Sequence, residues 1–133
     1  MTENQKIETV TELEAELGGF TGTTTYYESF PPGVYLTDGI KYVADRVGAH
    51  WLFSDVGVLI KCNYKTMPFQ VWRLDVHADK TATLCMQEDS GEPFSHNQKI
   101  DYTDFPVGQF VFWAVQGYVK HVNDFVIMLK SEY

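Results

Sequence analysis

The sequence predicts an α+β domain in which N-terminal helices pack on a C-terminal antiparallel sheet of about four strands. Apolar residues recur at helical spacing in the first half of the chain, whereas after Pro68 they alternate with polar residues, as strands require. The length of 133 residues and the hydrophobic content of 44% fit one domain with its own core. We therefore expect residues 1–133 to form a single domain.

A first helix is expected over residues 8–17. Thr9 followed by Glu12 has the form of a capping box, in which each side chain bonds the backbone N–H of the other residue. Gly18-Gly19 is expected to end the helix, because glycine readily adopts the left-handed conformation common at helix ends. The apolar residues at helical spacing are Ile7, Val10, Leu13 and Leu17.

Two further helices are expected after a rigid linker, Phe30-Pro31-Pro32-Gly33. Thr37 can cap the second helix, with Asp38 in the first turn, where the helix dipole favours negative charge. The apolar residues of this helix are Ile40, Val43, Ala44, Val47 and Trp51. Near Gly48 the pattern changes phase, which predicts a third helix ending around Cys62 and leaves one kinked helix as the alternative. The apolar residues of the third helix are Leu52, Val56, Leu59 and Ile60.

The first predicted hairpin consists of strands Phe69–Val76 and Thr81–Gln87, in which apolar and polar residues alternate. The loop His77–Lys80 has a length that suits a type I turn. The polar stretch that follows contains one short extended candidate, Gln98–Tyr102. 

The second predicted hairpin consists of Phe110–Tyr118 and Phe125–Leu129. The apolar spacing of the first segment also fits a helix. Its aromatic and β-branched residues favour a buried strand.

The charge balance argues against direct binding of nucleic acid. Ten lysines and arginines stand against eighteen acidic residues, which gives a formal net charge of -8. Such a chain repels phosphate backbones.

No phosphate-binding glycine loop, nucleophile elbow, HExxH motif or dinucleotide fingerprint occurs, so the sequence predicts no cofactor.

The chain carries no basic, apolar leader and no apolar run near the roughly 20 residues that span a bilayer, so we expect a cytoplasmic protein without a membrane partner. Cys62 and Cys85 lie in no metal-binding or disulfide pattern. We expect two buried thiols.

Five segments of the chain resemble segments found in other proteins. They are Thr37-Asp38-Gly39-Ile40-Lys41-Tyr42, Ala49-His50-Trp51-Leu52, Phe69-Gln70-Val71-Trp72, Tyr102-Thr103-Asp104-Phe105-Pro106 and the ending Ser131-Glu132-Tyr133. These segments are similar to those of an uncharacterised family of small bacterial, plasmid and phage proteins, over about residues 13–133. The resemblance implies a setting on mobile genetic elements, but no activity and no catalytic residues.

Four residues are the candidates for acid–base or metal chemistry: Asp38, Asp55, Asp104 and His50. Their spacing defines no site, and capping or turn roles are the favoured interpretation for Asp38 and Asp104. The remaining histidines, His77, His96 and His121, fall in predicted loops or polar segments, and scattered surface positions are favoured over metal ligation. The sequence therefore predicts no catalytic residue and no metal ligand.

Most of the aromatic side chains are expected to pack in the core. Trp51 and Trp72 each lie on a predicted apolar face, so we expect both to be structural. Tyr26 and Tyr27 are neighbours in an extended segment and point opposite ways, so one of them should be exposed. An exposed tyrosine is a suitable contact for a partner.

The first helix carries an acidic stripe, Glu8, Glu12 and Glu16, spaced four residues apart. A solvated surface is the simpler interpretation, and a contact for a basic partner surface is the functional one. We expect a non-enzymatic binding or inhibitor protein that contacts another protein through this stripe, through Tyr26 and Tyr27, or through an open sheet edge. 

On a phage or plasmid, such a protein could block a nucleic-acid-guided nuclease in counter-defence. The alternatives are a module that binds a nucleotide signal and a small metal-dependent hydrolase. A nucleotide site would need Arg46, Arg73 or a lysine in a pocket, and these are the only two arginines of the chain. The oligomeric state stays open.

Overall fold

A computed structural model describes residues 6–89 and 91–133. It confirms the α+β class. The helices are α1 (Val10–Glu16), α2 (Asp38–Val47) and α3 (His50–Asn63), followed at the chain end by a 3-10 helix, Lys130–Glu132. The strands are β1 (Tyr27–Glu28), β2 (Val34–Leu36), β3 (Phe69–Val76), β4 (Ala82–Gln87), β5 (Phe94–Ile100), β6 (Gly108–Gly117) and β7 (Asp124–Met128). Residues 1–5 and 90 of the predicted domain lie outside the described residues.

The described strands form one seven-stranded sheet in the order β1-β2-β7-β6-β3-β4-β5. All neighbours pair antiparallel except β2 and β7, which are parallel. The prediction of about four antiparallel strands, all following the helices, was therefore wrong. The two strands before α2 have only two and three residues, too few to show a two-residue period.

The two helices predicted around Gly48 are confirmed as separate. Gly48 ends α2 in the left-handed conformation with φ 67°, and α3 begins two residues later. The predicted capping box of α1 is also present. α1 stops just before Gly18-Gly19, as predicted, but the expected left-handed glycine is wrong, because the C-cap is Leu17 with φ -93° and ψ 0°, and neither Gly18 nor Gly19 has a positive φ.

Both predicted hairpins are present. The loop His77–Lys80 joins β3 to β4, and His77 N–H donates to the Thr81 carbonyl at 2.8 Å. The ambiguous segment is the strand β6, which pairs with β7. The extended candidate Gln98–Tyr102 overlaps a longer strand, β5, which ends at Ile100.

The core lies between α2, α3 and one face of the sheet. Phe53 of α3 packs edge-on against Phe112 of β6, with ring centroids 5.3 Å apart.

Cys85 is buried as predicted, whereas Cys62 is exposed at the end of α3, so the prediction of two buried thiols was wrong for Cys62. Among the described residues, no helix combines the length and the apolar character that a bilayer crossing needs.

Candidate functional site

The acidic stripe lies on α1 and just before it, and two of its carboxylates are hydrogen-bonded within the protein. The Glu12 carboxylate accepts hydrogen bonds from the backbone N–H groups of Glu8 (2.9 Å) and Thr9 (3.1 Å). The Glu16 carboxylate accepts from the Tyr42 hydroxyl at 2.5 Å and from Arg46 Nε at 3.0 Å, which ties α1 to α2. These bonds lower the pKa of both carboxyl groups. Two of the three stripe residues therefore have structural contacts.

The Glu16 contacts predict a pH-dependent part of the stability. The folded-state pKa lies below the ordinary 4.5, so the stabilisation is present above that pH and is lost as pH falls through the folded-state pKa. We expect Glu16→Gln to be less stable than the parent at about pH 6 and the deficit to be smaller at about pH 3, because protonation of the parent carboxylate removes the stabilisation. Urea unfolding at both pH values measures this. The control, Glu14→Gln on the exposed side of α1, should leave the difference between the two pH values unchanged.

The predicted tyrosine contacts lie at the start of β1. Tyr26 is 48% exposed and Tyr27 is half-buried, which confirms that one of the pair faces solvent. Lys41 Nζ lies 5.5 Å from the centre of the Tyr27 ring. The stripe and the tyrosines thus border α2 at different points, Glu16 at Arg46 and Tyr27 at Lys41.

The four residues considered for catalysis are engaged separately or exposed. The Asp38 carboxylate accepts from the backbone N–H of Thr24 at 2.9 Å, which lowers its pKa. His50 Nε2 lies 2.7 Å from Asp45, and Asp55 and Asp104 are exposed. Within residues 6–89 and 91–133, no three His, Cys, Asp or Glu side chains are grouped as a metal ion would require.

Two of the segments that carry the family resemblance meet at the start of α2. The Glu132 carboxylate, near the chain end, accepts from the Thr37 hydroxyl at 2.6 Å and from the backbone N–H of Gly39 at 2.9 Å. A third segment sets a turn, since the Thr103 hydroxyl accepts from the backbone N–H of Phe105 at 3.1 Å. The shared segments thus make contacts that hold the fold.

The sheet has a second face on which apolar side chains lie away from α2 and α3. We call it the outer apolar face. Its members are Phe69, Val71, Val111, Trp113, Val115, Met128 and Tyr133. They alternate along β3 and β6 with the buried residues of the core face. The rings of Phe69, Trp113 and Tyr133 are in mutual contact, with centroids 4.8, 5.2 and 6.0 Å apart.

An acidic loop borders this face. Glu88, Asp89 and Glu92 line a shallow depression of about 340 Å³ together with Phe69 and Pro68. The single arginine on this side, among the described residues, is Arg73 of β3, which lies 3.1 Å from Asp75. The face therefore combines an apolar centre with negative charge at its edge.

The sequence contains a signal for this face that the prediction did not use. The segment of β6 is apolar at consecutive positions, which is typical of a strand with both faces covered, whereas helices were expected on one face alone. On β3, the side that carries Val71 also carries Arg73 and Asp75, so the sequence of this strand alone does not mark that side as apolar. In the structure, the side chains of Val111, Trp113 and Val115 on this second face of β6 are half-buried.

A groove of about 530 Å³ lies between α1 and the chain end. Its apolar lining includes Leu17, Phe110 and Leu129, and Lys130 stands at the same groove with Glu14. Neither arginine lines it: Arg46 binds Glu16 and Arg73 binds Asp75. The groove thus combines an apolar lining with one lysine and one glutamate.

Comparisons with curated proteins and with solved structures give no match. Residues 11–133 match a family of unknown function, DUF6876. The match begins at the second residue of α1 and extends over the seven described strands to the chain end, including the segments that meet at the start of α2. This chain belongs to that family of unknown function.

Proposed function

We propose that the chain is a non-enzymatic protein-binding module that receives a basic partner on its outer apolar face. The observation that carries the proposal is the contact of three aromatic rings, Phe69, Trp113 and Tyr133, on the side of the sheet opposite the helices. Soluble domains rarely leave a contiguous apolar surface without a use, and aromatic clusters are typical centres of binding surfaces.

The charge of the chain indicates the chemistry of the partner. The formal net charge is -8, and the carboxylates of the acidic loop adjoin Phe69. A partner with apolar side chains ringed by lysine and arginine would complement this arrangement. If that basic surface also holds nucleic acid, the module competes with the nucleic acid and acts as an inhibitor. Counter-defence by a phage or plasmid protein is one setting for such inhibition.

The contact surface proposed here differs from the acidic stripe. Reversing the charge of Glu16 removes its bonds to Arg46 and Tyr42 and so disturbs the contact of α1 with α2. A loss of partner binding in such a variant would therefore not identify the stripe as the contact surface. The outer apolar face offers side chains that can be changed with less disturbance, since Val71 and Val111 are half-buried and lie outside the core.

A charged substitution on the outer apolar face is the test. We expect Val71→Arg and Val111→Arg each to weaken binding of a partner isolated from the host by about tenfold or more, because each puts a cation against a basic surface. The matched control is Val58→Arg on α3, where the side chain is 37% exposed on the helical side. Affinity is measured by titration calorimetry at about 0.1 M and 1 M salt. Equal affinity of all three variants and the parent would refute the proposal.

The second candidate function is the binding of a small molecule, favoured by the groove with Lys130. A nucleotide would need more cationic side chains than one lysine, so we expect a small apolar carboxylate instead. A ligand that raises the unfolding temperature of the parent and fails to raise that of Lys130→Ala would support this candidate.

A further inference from the structure

The strand β5 forms one edge of the sheet, and its backbone beyond Ser95, whose carbonyl accepts from the Tyr64 hydroxyl at 3.0 Å, has no neighbouring strand on the outer side among the described residues. It is bonded to β4 alone among the described strands and has seven residues. Its side chains are exposed or half-buried on both faces, so β5 extends beyond the helical layer. The opposite edge, β1, has only two residues. Proteins usually shorten or block their edges because an open edge can pair with another strand.

The register identifies the backbone groups that point away from the sheet. The bond from His77 N–H to the Thr81 carbonyl makes residues 77 and 81 a hydrogen-bonded pair, and bonded and non-bonded pairs alternate along an antiparallel ladder. When this alternation is followed from Thr81 along β4 and across to β5, the backbone N–H and C=O groups of Gln98 point toward β4. Asn97 and Lys99 therefore turn their N–H and C=O groups outward.

The charges at both ends of the edge are acidic. Residues 88–104 contain five carboxylates, Glu88, Asp89, Glu92, Asp101 and Asp104, and a single lysine, Lys99. All six are exposed. In an antiparallel pairing with a second copy, the carboxylates before β5 would meet those after β5, which disfavours a dimer through this edge. A strand with lysine or arginine at both ends would meet opposite charges instead.

We infer that β5 accepts an extended segment of a partner protein, with basic residues at both of its ends, as an eighth strand of the sheet. The inference rests on the proposed function in one respect, since both require a basic protein partner. The main-chain bonds of Asn97 and Lys99 supply the pairing, and the flanking carboxylates select the charge.

The experiment uses a defined probe, the peptide Lys-Thr-Val-Thr-Val-Thr-Val-Thr-Lys, and a counterpart with glutamate at both ends. Amide hydrogen exchange is followed by NMR. We expect the lysine peptide to slow exchange at Asn97 and Lys99 by about tenfold or more, and the glutamate peptide to leave it unchanged. Gln98, already bonded to β4, is the internal reference.

Two variants separate the backbone contact from the side chain. Asn97→Pro removes an outward N–H and should reduce peptide binding by about tenfold or more, whereas Asn97→Thr keeps that N–H and should bind like the parent. If Asn97→Pro fails to fold, the exchange pattern of the parent decides alone. Val71→Arg, which alters the outer apolar face, should bind the lysine peptide like the parent. Weaker binding of the host partner by this variant, with unchanged binding of the peptide, distinguishes the outer apolar face from the β5 edge.

Two outcomes would overturn the inference. Exchange at Asn97 and Lys99 that stays fast with the lysine peptide would show that the edge accepts no strand. Protection that appears without peptide and rises with protein concentration would identify a second copy as the occupant.

Discussion

Trp72→Ala is expected to lower the free energy of unfolding by about 3–5 kcal/mol, a large share of the stability of a domain this size. Trp72 of β3 is fully buried, and its ring packs against Phe112 with centroids 6.4 Å apart. Removal of the indole leaves a cavity beneath α3, which the strand pairing on both sides of β3 prevents from closing.

The hydrogen bond made by the indole N–H of Trp72 adds to the loss of stability. Its Nε1–H donates to the Gln70 side-chain oxygen at 2.9 Å, and the Gln70 amide nitrogen donates to the carbonyls of Tyr64 and Met67 at 3.0 Å each. Gln70 is fully buried, so the alanine variant leaves its oxygen without this donor. The same network joins the end of α3 to the sheet.

Urea unfolding followed by circular dichroism measures the effect. Trp51→Ala is the matched comparison: Trp51 is half-buried beside the core, and we expect a smaller loss. Equal stabilities of Trp72→Ala and the parent would show that this side chain does not hold the core.

Strong periodicity made the long elements predictable. β3 was predicted with its observed bounds, and the break at Gly48 between α2 and α3 was visible as a change of apolar phase. The short strands were not predictable in this way. The pairing of β2 with β7 brings together residues about 90 positions apart, such as Val34 and Phe125, and no local pattern encodes that contact.

The candidate site was less predictable than the fold. Charge spacing drew attention to Glu8, Glu12 and Glu16, but spacing alone does not reveal that Glu16 is bound by Arg46 from another helix. The outer apolar face and the β5 edge depend on which faces and edges remain uncovered. That property belongs to the assembled sheet, and the sequence of any one strand does not contain it.

Glu132→Ala is expected to lower the free energy of unfolding by about 2–4 kcal/mol, although the residue is the second from the chain end. Glu132 is 9% exposed, and its carboxylate lies at the start of α2, where the helix dipole favours negative charge. The carboxylate accepts from the Thr37 hydroxyl at 2.6 Å and from the backbone N–H groups of Gly39 at 2.9 Å and Leu129 at 3.0 Å. Alanine leaves these donors buried without their acceptor.

Two further changes distinguish this contact from a general effect of the chain end. Deletion of Tyr133 alone, which is 74% exposed, should cost less than Glu132→Ala because the carboxylate stays. Gly39→Ala would ordinarily favour a helix by about 1 kcal/mol, yet here a Cβ would stand 2.8 Å from a Glu132 oxygen, so we expect destabilisation. Thermal and urea unfolding of the three variants give the comparison. A stabilised Gly39→Ala variant, or a Glu132→Ala variant as stable as the parent, would show that the chain end does not hold the start of α2.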